Sequence, residues 1–498
     1  MRSSFVALLL LSSTSPALAE TFTAGPGDDV EARINALTPG DELVLADGDY
    51  PLDGSRFSFD LTGTEAMPIV IRAAEGARPH FHRPNASQNV WDIRAEYVEI
   101  RGLAFSGGSA GLRFEHGRFV TIEGCEIFDT ADVALRMNDG GQRYEGMRIL
   151  RNEIHHTNGT GEGMYLGCNS NGCQLANALI EGNHVHHTNQ ASVSQGDGIE
   201  IKEGSFGNVV RDNVIHDTKY PCILTYATAG NGAPNVIERN VMWGCGDNAI
   251  QAAADATIRN NLILGAGGAG LAMQPHQAGT PSNLVVVHNT ILNPGNPIAL
   301  RGATGSVVIA NNALYTGGGT SIFANGDTSM LVSVGNVGNG SGPGVSAGVI
   351  DDLVMASLDG APPMNLFPRV GGALDGAGDV THVVADDFDG NARLGVADVG
   401  AYALAAGGPG WAIGEGFKDV DVTPIPGSDG GPADRDASVP GSDAGPVSPG
   451  ADGGRMPRPD SGTSEGGGGG GCSCATSADA AGAWPLLAAL FFRWRRRR

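Results

Sequence analysis

Residues 180–188 read Ile-Glu-Gly-Asn-His-Val-His-His-Thr, and residues 209–218 read Val-Val-Arg-Asp-Asn-Val-Ile-His-Asp-Thr. The phrase that returns is Asn-x-Ile/Val-His-x-Thr, an Asn followed by a short alternation of apolar and polar residues. Between the two copies, residues 195–204 hold the densest group of ionisable side chains in the chain: Asp197, Glu200, Lys202 and Glu203. The repeated phrase bears on the fold, and the charged segment bears on function.

The phrase belongs to a series that runs through most of the chain, in which a Gly or Asn precedes each short apolar run. The members of the series are Gly102, Gly124, Asn152, Asn183, Asn213, Asn240, Asn261, Asn289, Asn312 and Asn336. Subtraction of these numbers gives intervals of 22, 28, 31, 30, 27, 21, 28, 23 and 24 residues, a period typical of a solenoid. Helical repeats need longer runs with 3.6-residue spacing, which are missing from these periods. We therefore predict an all-β fold, a right-handed parallel β-helix with one coil per period.

Two columns of stacked side chains follow from this arrangement. The Asn residues from Asn152 to Asn336 recur at one position, so their amides should hydrogen-bond from coil to coil, and Asn also tolerates the left-handed backbone of tight turns. His155, His186 and His216 each lie three residues after a ladder Asn, and Trp243 takes that position in the next coil. A column of metal ligands is one interpretation. We predict a stack of aromatic rings instead, because the repeat phase alone accounts for the spacing.

The N-terminal composition predicts an exported protein. Residues 1–19 combine Arg2, an apolar run at Phe5–Leu11 and the small residues Ala17-Leu18-Ala19, as signal peptides do. A transmembrane anchor, the alternative, would need a longer apolar run.

Residues 20–402 are assigned to the β-helix. A short helix within Asp28–Leu37 is expected to cover its first coil, before a strand at Glu42–Leu45.

The C-terminal part predicts a stalk and a sorting segment. Residues 403–471 are rich in Gly, Pro, Ser and Asp, which predicts a disordered linker. Residues 472–498 contain Cys472-Ser-Cys474, then an apolar stretch and terminal arginines. As a helix, the apolar stretch of about thirteen residues would span about 20 Å, which is less than a bilayer core of about 30 Å. This order resembles the C-terminal sorting signals of exported myxobacterial proteins, which implies processing near Cys472 and transfer to the cell surface. The alternative is a tail anchored in the inner membrane, so only this segment is expected to contact a membrane.

Charge and cysteine content exclude one class of protein and suggest two crosslinks. The formal net charge of −23 lacks the basic excess of nucleic-acid-binding proteins, so nucleic acid is excluded as a partner. An acidic surface keeps an exported monomer soluble and can concentrate calcium. Export also permits disulfides. Cys168 and Cys173 enclose only four residues, Cys222 and Cys245 are candidates to bridge adjacent coils, and Cys125 is a candidate buried thiol.

Aligning the coils on their second short strand predicts a row of outward side chains. In segments such as Gly198-Ile-Glu-Ile-Lys202, the Ile, Leu or Met positions face the core and the alternate positions face outward. The outward set is Arg113, Glu115, Arg136, Asn138, Tyr165, Glu200, Lys202, Tyr226, Gln251, Gln274 and Arg301. Amides, rings and charges along one sheet suit a sugar chain, whereas a solvated face is the alternative. We predict that a polysaccharide is bound by Arg113, Tyr165, Gln251, Gln274 and Arg301.

The charged segment resembles the active-site coil of β-helical polysaccharide lyases. Gly196–Lys202, followed by Asn208-Val-Val-Arg-Asp-Asn213, is similar to the chondroitinase B and alginate lyase type, in which acidic calcium ligands precede a catalytic Lys and an Asn-x-x-x-x-Asn turn. The segment Gly63–Phe81 resembles the first coils of the same type, and the resemblance extends from about Pro39 to Asn312. One departure is that Tyr226 stands near the place where the chondroitinase B type has an Arg.

The resemblance implies β-elimination from an acidic, uronate-containing polysaccharide. Lys202 would be the base, with Arg136 and Tyr226 as further catalytic candidates, and calcium would be the cofactor, held by the carboxylates of Glu162, Asp197 and Glu200. A salt bridge between Lys202 and Glu200 or Glu203 on an exposed strand is the structural alternative. Two other functions stay open: a non-catalytic glycan-binding or surface structural protein, and a glycoside hydrolase that uses two of these carboxylates.

Overall fold

The computed structural model describes residues 19–54, 56–358, 361–407 and 410–418. The predicted signal peptide apart from Ala19, most of the predicted linker and the whole predicted sorting segment lie outside these residues. Within the described part of the chain, no helix is long and apolar enough to cross a bilayer.

Three parallel sheets of 13 strands each make up nearly all of the described chain. The strands of sheet 1 are Thr21–Ala24, Glu42–Leu45, Ile69–Ala73, Val98–Arg101, Thr121–Glu123, Arg148–Leu150, Leu179–Glu181, Val209–Arg211, Asn235–Glu238, Ala256–Arg259, Leu284–Val287, Val307–Ala310 and Leu331–Val334. The strands of sheet 2 are Ser58–Thr62, Trp91–Glu96, Leu112–Arg118, Leu135–Met137, Arg143–Glu145, Met164–Leu166, Gln174–Ala176, Ile199–Ile201, Ile223–Thr225, Ile250–Ala252, Leu271–Met273, Ile298–Arg301 and Ile322–Asn325. The strands of sheet 3 are Gly48–Pro51, Pro79–Arg83, Ala104–Gly107, Glu126–Phe128, Glu153–His155, His184–His186, Val214–Thr218, Val241–Cys245, Leu262–Ala266, Thr290–Asn293, Ala313–Thr316, Asn336–Gly338 and Val345–Ala347.

Each coil visits sheet 1, sheet 3 and sheet 2 in turn, and every strand pairs in parallel with its counterpart one coil on. Ile149, for example, lies opposite Ile180, and Ile180 lies opposite Val210. All three side chains are fully buried. Because the register is kept, the inward residues of all three sheets stack into one continuous core. The predicted parallel β-helix is confirmed.

A short helix covers the first coil, as predicted, and begins and ends inside the predicted range. It spans Val30–Asn35, and Asp29 caps it by accepting a hydrogen bond from the backbone N–H of Ala32 at 3.0 Å. Val30 and Ile34 are buried against the core. The other helical segments are single 3₁₀ turns at Asn169–Asn171, Ile350–Asp352, Val380–His382 and Leu404–Ala406.

After the last coil, an antiparallel pair of strands, Leu353–Met355 and Asn365–Pro368, leads into a segment that returns along the corner between sheets 1 and 3. The buried guanidinium of Arg393 donates to the carbonyls of Gly400 and Ala401, both at 2.9 Å, and to Asn260 Oδ1 at 3.1 Å. Further along, Lys418 Nζ lies 2.7 Å from Asp212 Oδ1. Packed chain therefore continues beyond residue 402.

The predicted asparagine ladder is confirmed and connects consecutive coils through the core. Asn213 Oδ1 accepts hydrogen bonds from the backbone N–H and the amide Nδ2 of Asn183, both at 2.9 Å. The Nδ2 of Asn213 donates in turn to Ile180 O at 3.0 Å and to Asn240 Oδ1 at 2.9 Å. The same pattern repeats from Asn152 to Asn336, and every ladder Asn is fully buried.

One part of the ladder prediction is wrong. The ladder Asn does not have the left-handed backbone; the residue before it does, as at Arg151 (φ 53°) and Asp212 (φ 57°). Gly102 and Gly124 occupy this left-handed position. The ladder position of their coils is therefore the next residue, one later than the predicted series placed it. The ladder position of the Gly124 coil is Cys125, whose N–H donates to Asn152 Oδ1 at 2.9 Å. Periodicity located the turn but could not separate two adjacent turn residues with different roles.

The predicted aromatic stack is also confirmed. The ring of His186 stacks on His155 at 4.9 Å and on His216 at 5.2 Å, and His216 stacks on Trp243 at 4.3 Å, with interplanar angles of 10° or less. Nitrogens of His184, His186 and His216 come within 4.8 Å of one another. The rings of His186 and His216, however, lie in nearly parallel planes 5.2 Å apart, so their in-plane lone pairs do not converge on one ion.

Both predicted disulfides form, at Cys168–Cys173 and Cys222–Cys245. Cys125 is a buried free thiol, as expected. Burial raises the pKa of the Cys125 thiol to about 12, which keeps it protonated in its ladder position.

Asn213→Ala tests how much the ladder contributes to stability. The substitution leaves the buried Nδ2 and N–H of Asn183 and the carbonyl of Ile180 without their partner, so we expect a loss of about 2–4 kcal/mol in the free energy of unfolding. Urea denaturation of the full-length protein measures this loss. Asn189→Ala, at an exposed loop position, is the control and should change stability by less than about 0.5 kcal/mol. Equal effects of the two substitutions would contradict a structural role for the ladder.

His288 provides a test of acid sensitivity. It is fully buried at a left-handed turn position, and burial, followed by the charge of Arg393, lowers its pKa from 6.5 to about 3. The unfolded chain therefore binds the proton more readily, so the protein loses stability as pH falls from about 6.5 toward 3. We expect His288→Asn to reduce the stability lost between pH 7 and pH 5 by about 2 kcal/mol, measured by urea denaturation at both pH values. Asn is the matched replacement because Asn260 and Asn311 hold the equivalent turn position in neighbouring coils. An unchanged pH dependence would contradict the assignment.

Candidate functional site

Sheet 2 presents the predicted outward residues as two columns. The strand register aligns Arg113, Arg136, Tyr165 and Glu200 in consecutive coils. The next residue in this column is Leu224, followed by Gln251, Ala272 and Ala299. The second column, two residues further along the strands, contains Lys202, Tyr226, Gln274 and Arg301. The first column is therefore polar from the early coils up to Glu200 and mostly apolar beyond it, whereas the second column continues the polar row to Arg301.

The three predicted calcium ligands come together beside the first column. Glu162 and Asp197 hold the same position in consecutive coils, directly before Gly163 and Gly198, and Glu200 follows Asp197 on the next strand. One carboxylate oxygen from each of Glu162, Asp197 and Glu200 lies within 4.8 Å of the other two. Gly198 permits this close stacking, because a Cβ there would lie 2.5 Å from the carbonyl oxygen of Cys222.

The carboxylates are buried and incompletely hydrogen-bonded. Glu162, Asp197 and Glu200 are 1 %, 2 % and 2 % exposed, and each has one oxygen that has no hydrogen-bond partner among the described residues. Burial, reinforced by the charges of the neighbouring carboxylates, raises the pKa of Asp197 well above its ordinary value and also raises the pKa of Glu162. Protons or a cation are therefore needed to stabilise the cluster.

Lys202 extends this cluster into a hydrogen-bonded network. Its Nζ lies 2.6 Å from Glu200 Oε1 and 3.2 Å from the hydroxyl of Tyr226. The Tyr226 hydroxyl donates its one proton to the same Glu200 oxygen, at 3.0 Å. Because that proton is used, His276 Nε2, which lies 3.1 Å from the Tyr226 hydroxyl, must be the donor in the contact between them. Burial and the charge of Glu200 raise the pKa of Tyr226, which keeps it in the phenol form. The predicted ion pair exists, but it is buried rather than on an exposed strand.

Aromatic rings enclose the Lys202 ammonium. It lies 4.9 Å from the ring centroid of Tyr165 and 4.5 Å from that of Tyr226, positions that favour a cation there. Burial and the charges of Glu200 and Glu162 raise the pKa of Tyr165 to about 12. The ring of His276 stacks on Tyr226 at 5.0 Å.

The remaining predicted residues lie further from the cluster. Arg136 is partly exposed, with its Nε 2.9 Å from Asn138 Oδ1. Arg113 is engaged by Asp139, at 2.8 and 3.0 Å, and by two more carboxylates. On the other side, hydrogen bonds join Gln251, Gln274 and Arg301 in a row, at 3.0 and 3.2 Å.

His276 is the site residue that sequence reasoning missed. It lies in the turn between Leu271–Met273 and Leu284–Val287, outside any repeated phrase. The neighbouring Gln277 donates to Asn169 Oδ1 at 3.2 Å, which joins this turn to the loop closed by the Cys168–Cys173 disulfide. The 28-residue interval between Asn261 and Asn289 lies within the range of the other intervals, so the sequence carries no signal for His276, and only the folded chain shows that this turn reaches the Lys202 network.

The burial of Lys202 can be tested by chemical labelling, because the chain has three lysines: Lys202, Lys219 and Lys418. Lys202 and Lys418 are 4 % and 5 % exposed and are held by carboxylates, whereas Lys219 is only partly buried. We expect reductive methylation of the native protein to modify Lys202 at least about tenfold more slowly than Lys219, as followed by peptide mass spectrometry. Unfolding in urea should remove the difference. Equal native rates would contradict the closed network.

Comparison with known proteins supports the fold. A family model described as a right-handed β-helix region matches residues 81–193 and 174–314. The solved structure of XylC with xylose is similar at 9% identity over 78% of this chain and 98% of that chain, with a TM-score of 0.53. An alginate lyase from Paenibacillus sp. str. FPU-7 (19% identity, 63% and 99% coverage, TM-score 0.44) and pectate lyase Pel9A (14% identity, 77% and 96% coverage, TM-score 0.47) are also similar. A search of curated protein sequences finds no significant match. At these identities the likeness concerns architecture alone: this chain has the right-handed parallel β-helix fold.

Proposed function

We propose that this protein is a polysaccharide lyase that cleaves an acidic, uronate-containing polysaccharide by β-elimination. The observation that carries the proposal is the buried network in which three carboxylates adjoin the Lys202–Tyr226 pair. The resemblance of Gly196–Lys202 to lyase active-site coils supports the same chemistry.

Calcium is the proposed cofactor, and the residues present fit it. Glu162, Asp197 and Glu200 offer hard oxygen ligands, and oxygens up to 4.8 Å apart are compatible with calcium–oxygen bonds of about 2.4 Å. Each of the three carboxylates also has a buried oxygen to which no residue in the described part of the chain donates a hydrogen bond. When bound, calcium would neutralise the uronate carboxylate and so acidify the proton on C5.

Lys202 and Tyr226 are 4% and 3% exposed, so the turn that carries His276 must move aside before a polymer can reach them. With the polymer bound, these two residues would carry the proton transfers. Lys202, an ammonium paired with Glu200 in this structure, would first release its proton to solvent, which the positive charge of a calcium ion on the neighbouring carboxylates favours. The amine then accepts the C5 proton; the C–H electrons form the C4=C5 double bond, and the C4–O bond breaks with its electrons on the leaving oxygen. The neutral Tyr226 phenol donates a proton to that oxygen. The 3.2 Å contact between Lys202 Nζ and the Tyr226 hydroxyl then allows a proton to pass from Lys202 back to Tyr226, which restores the network.

Residues around the network would bind the polymer. Arg136 is partly exposed in the column of Tyr165 and could pair with a uronate carboxylate. Gln251, Gln274 and Arg301 form a row of hydrogen-bonding groups on the opposite side. Arg113 is the weakest member of the proposed binding set, because its guanidinium already pairs with carboxylates.

We further propose that the protein is exported as a monomer and displayed on the cell surface through residues 472–498. Secretion without a retained anchor is the alternative. The signal-peptide pattern of residues 1–19, the acidic charge and the two disulfides support export. An extracellular location would give the enzyme access to both calcium and polysaccharide.

The lyase proposal is tested by ultraviolet absorbance, because β-elimination creates a conjugated C4=C5 double bond. With alginate, pectate or chondroitin sulfate, we expect a calcium-dependent rise in absorbance that a chelator abolishes. Lys202→Gln should lower the rate by about 10²–10⁴-fold, the usual contribution of a general base. Glu200→Gln should raise the calcium concentration required for activity by at least about tenfold, since it removes one ligand charge.

Lys219→Gln is the matched control and should retain the wild-type rate, because Lys219 lies outside the network. New reducing ends without absorbance would overturn the lyase proposal in favour of hydrolysis. Binding without turnover of any of the three polymers would overturn it in favour of a glycan-binding protein.

A further inference from the structure

A second polar cluster lies on sheet 3, in the first coils, away from the network on sheet 2. Asp49, His80 and Ser106 project outward from three consecutive strands, Gly48–Pro51, Pro79–Arg83 and Ala104–Gly107. His80 lies opposite Asp49 on one side and opposite Ala104 on the other. The small side chain of Ala104 leaves room for the His80 ring to reach Ser106.

The three side chains form a continuous hydrogen-bonded relay. Asp49 Oδ1 lies 3.0 Å from His80 Nδ1, and His80 Nε2 lies 2.7 Å from the Ser106 hydroxyl. A second histidine, His82, approaches the same hydroxyl with its Nδ1 at 2.9 Å. The histidines, the serine and the aspartate line an open depression of about 470 Å³, together with Pro51.

The hydrogen-bond partners determine which atoms carry protons. The Asp49 carboxylate can only accept, so His80 Nδ1 carries a hydrogen and the Nε2 of a neutral His80 has a free lone pair. The Ser106 hydroxyl therefore donates to His80 Nε2, and it accepts a hydrogen bond from His82 Nδ1. This is the protonation pattern of an activated serine nucleophile, in which a carboxylate orients the histidine base.

Packing holds the His80 ring in this orientation. The ring stacks on Phe128, with centroids 5.5 Å apart and an interplanar angle of 21°. Ser106 itself is 3 % exposed, and the backbone of its strand is fixed by pairing with both neighbouring coils. The relay is therefore preorganised on rigid strands rather than on loops.

We propose that Asp49, His80 and Ser106 are a hydrolytic site for carboxylic esters, such as the acyl groups carried by polysaccharides. Ser106 Oγ attacks the ester carbonyl while His80 Nε2 takes the hydroxyl proton. His80 then returns that proton to the leaving alkoxide, and an acyl-serine forms. Water hydrolyses the acyl-serine with His80 again as base, which releases the carboxylic acid and restores Ser106.

His82 and Asp49 have distinct roles in this site. The Nδ1–H of His82 donates to the Ser106 oxygen, which holds the hydroxyl with its hydrogen directed at His80 Nε2. Asp49 is a positioning residue that fixes the His80 tautomer and touches no substrate. Its side chain is 84% exposed, so solvent weakens its influence compared with a buried carboxylate.

The test uses the full-length protein with p-nitrophenyl acetate as substrate and a fluorophosphonate as a covalent probe of activated serines. We expect ester hydrolysis and fluorophosphonate labelling at Ser106, located by peptide mass spectrometry. Ser106→Ala should abolish the labelling and lower kcat/KM by at least about 10³-fold, and His80→Gln should have a similar effect on kcat. Asp49→Asn should lower kcat by about tenfold or more without a matching change in KM, since it acts through the His80 tautomer.

Ser346→Ala is the matched control, because Ser346 lies on the last strand of sheet 3 without a histidine partner. It should leave hydrolysis and labelling unchanged. Thermal unfolding of each variant establishes that a lost activity does not reflect lost folding. Hydrolysis that survives Ser106→Ala in the folded protein, or a wild-type protein that neither hydrolyses the ester nor reacts with the probe, would overturn the proposal.

Discussion

The stacking of coils through parallel strand pairs and buried asparagine amides is the constraint on which the rest of this structure depends. A parallel strand of three residues, such as Glu153–His155, forms too few hydrogen bonds to be stable by itself. Each ladder Asn adds hydrogen bonds to the coils on either side and satisfies carbonyls that would otherwise be buried without partners. The ladder thereby keeps one register through coils of unequal length.

Fixed register is also what makes chemistry possible on this fold. Side chains at one position of consecutive coils are brought close together regardless of their distance in sequence, so charge can be concentrated by repeating a residue type. Glu162 and Asp197 meet in this way, as do His155, His186 and His216. Burial removes water from the carboxylates of Glu162 and Asp197, and their raised pKa values reflect this cost of desolvation. The stacked histidines also lose contact with water, but contacts between their rings replace it.

The two proposed sites use the sheets differently. On sheet 2, the turn that carries His276 packs over Tyr226, and Lys202 becomes a buried cation between two tyrosine rings. On sheet 3, the strands themselves present Asp49, His80 and Ser106 at an open depression. A polymer-cleaving enzyme and an ester-cleaving site on one rigid β-helix would act on the same class of substrate, a decorated polysaccharide.

The sequence by itself determined the solenoid, its ladder and its aromatic stack, because these features repeat with the coil and periodicity is visible in one dimension. It indicated both disulfides through the spacing of their cysteines. It also indicated Glu162, Asp197, Glu200 and Lys202 as neighbours. Only the tertiary structure decided that the left-handed turn residue precedes the ladder Asn, that His276 reaches Tyr226 from a turn, and that Ser106 meets His80. The first depends on backbone angles of two adjacent residues that share one period, so periodicity cannot tell them apart. The two contacts depend on loop paths and side-chain directions between coils, which have no period and therefore leave no pattern in the sequence.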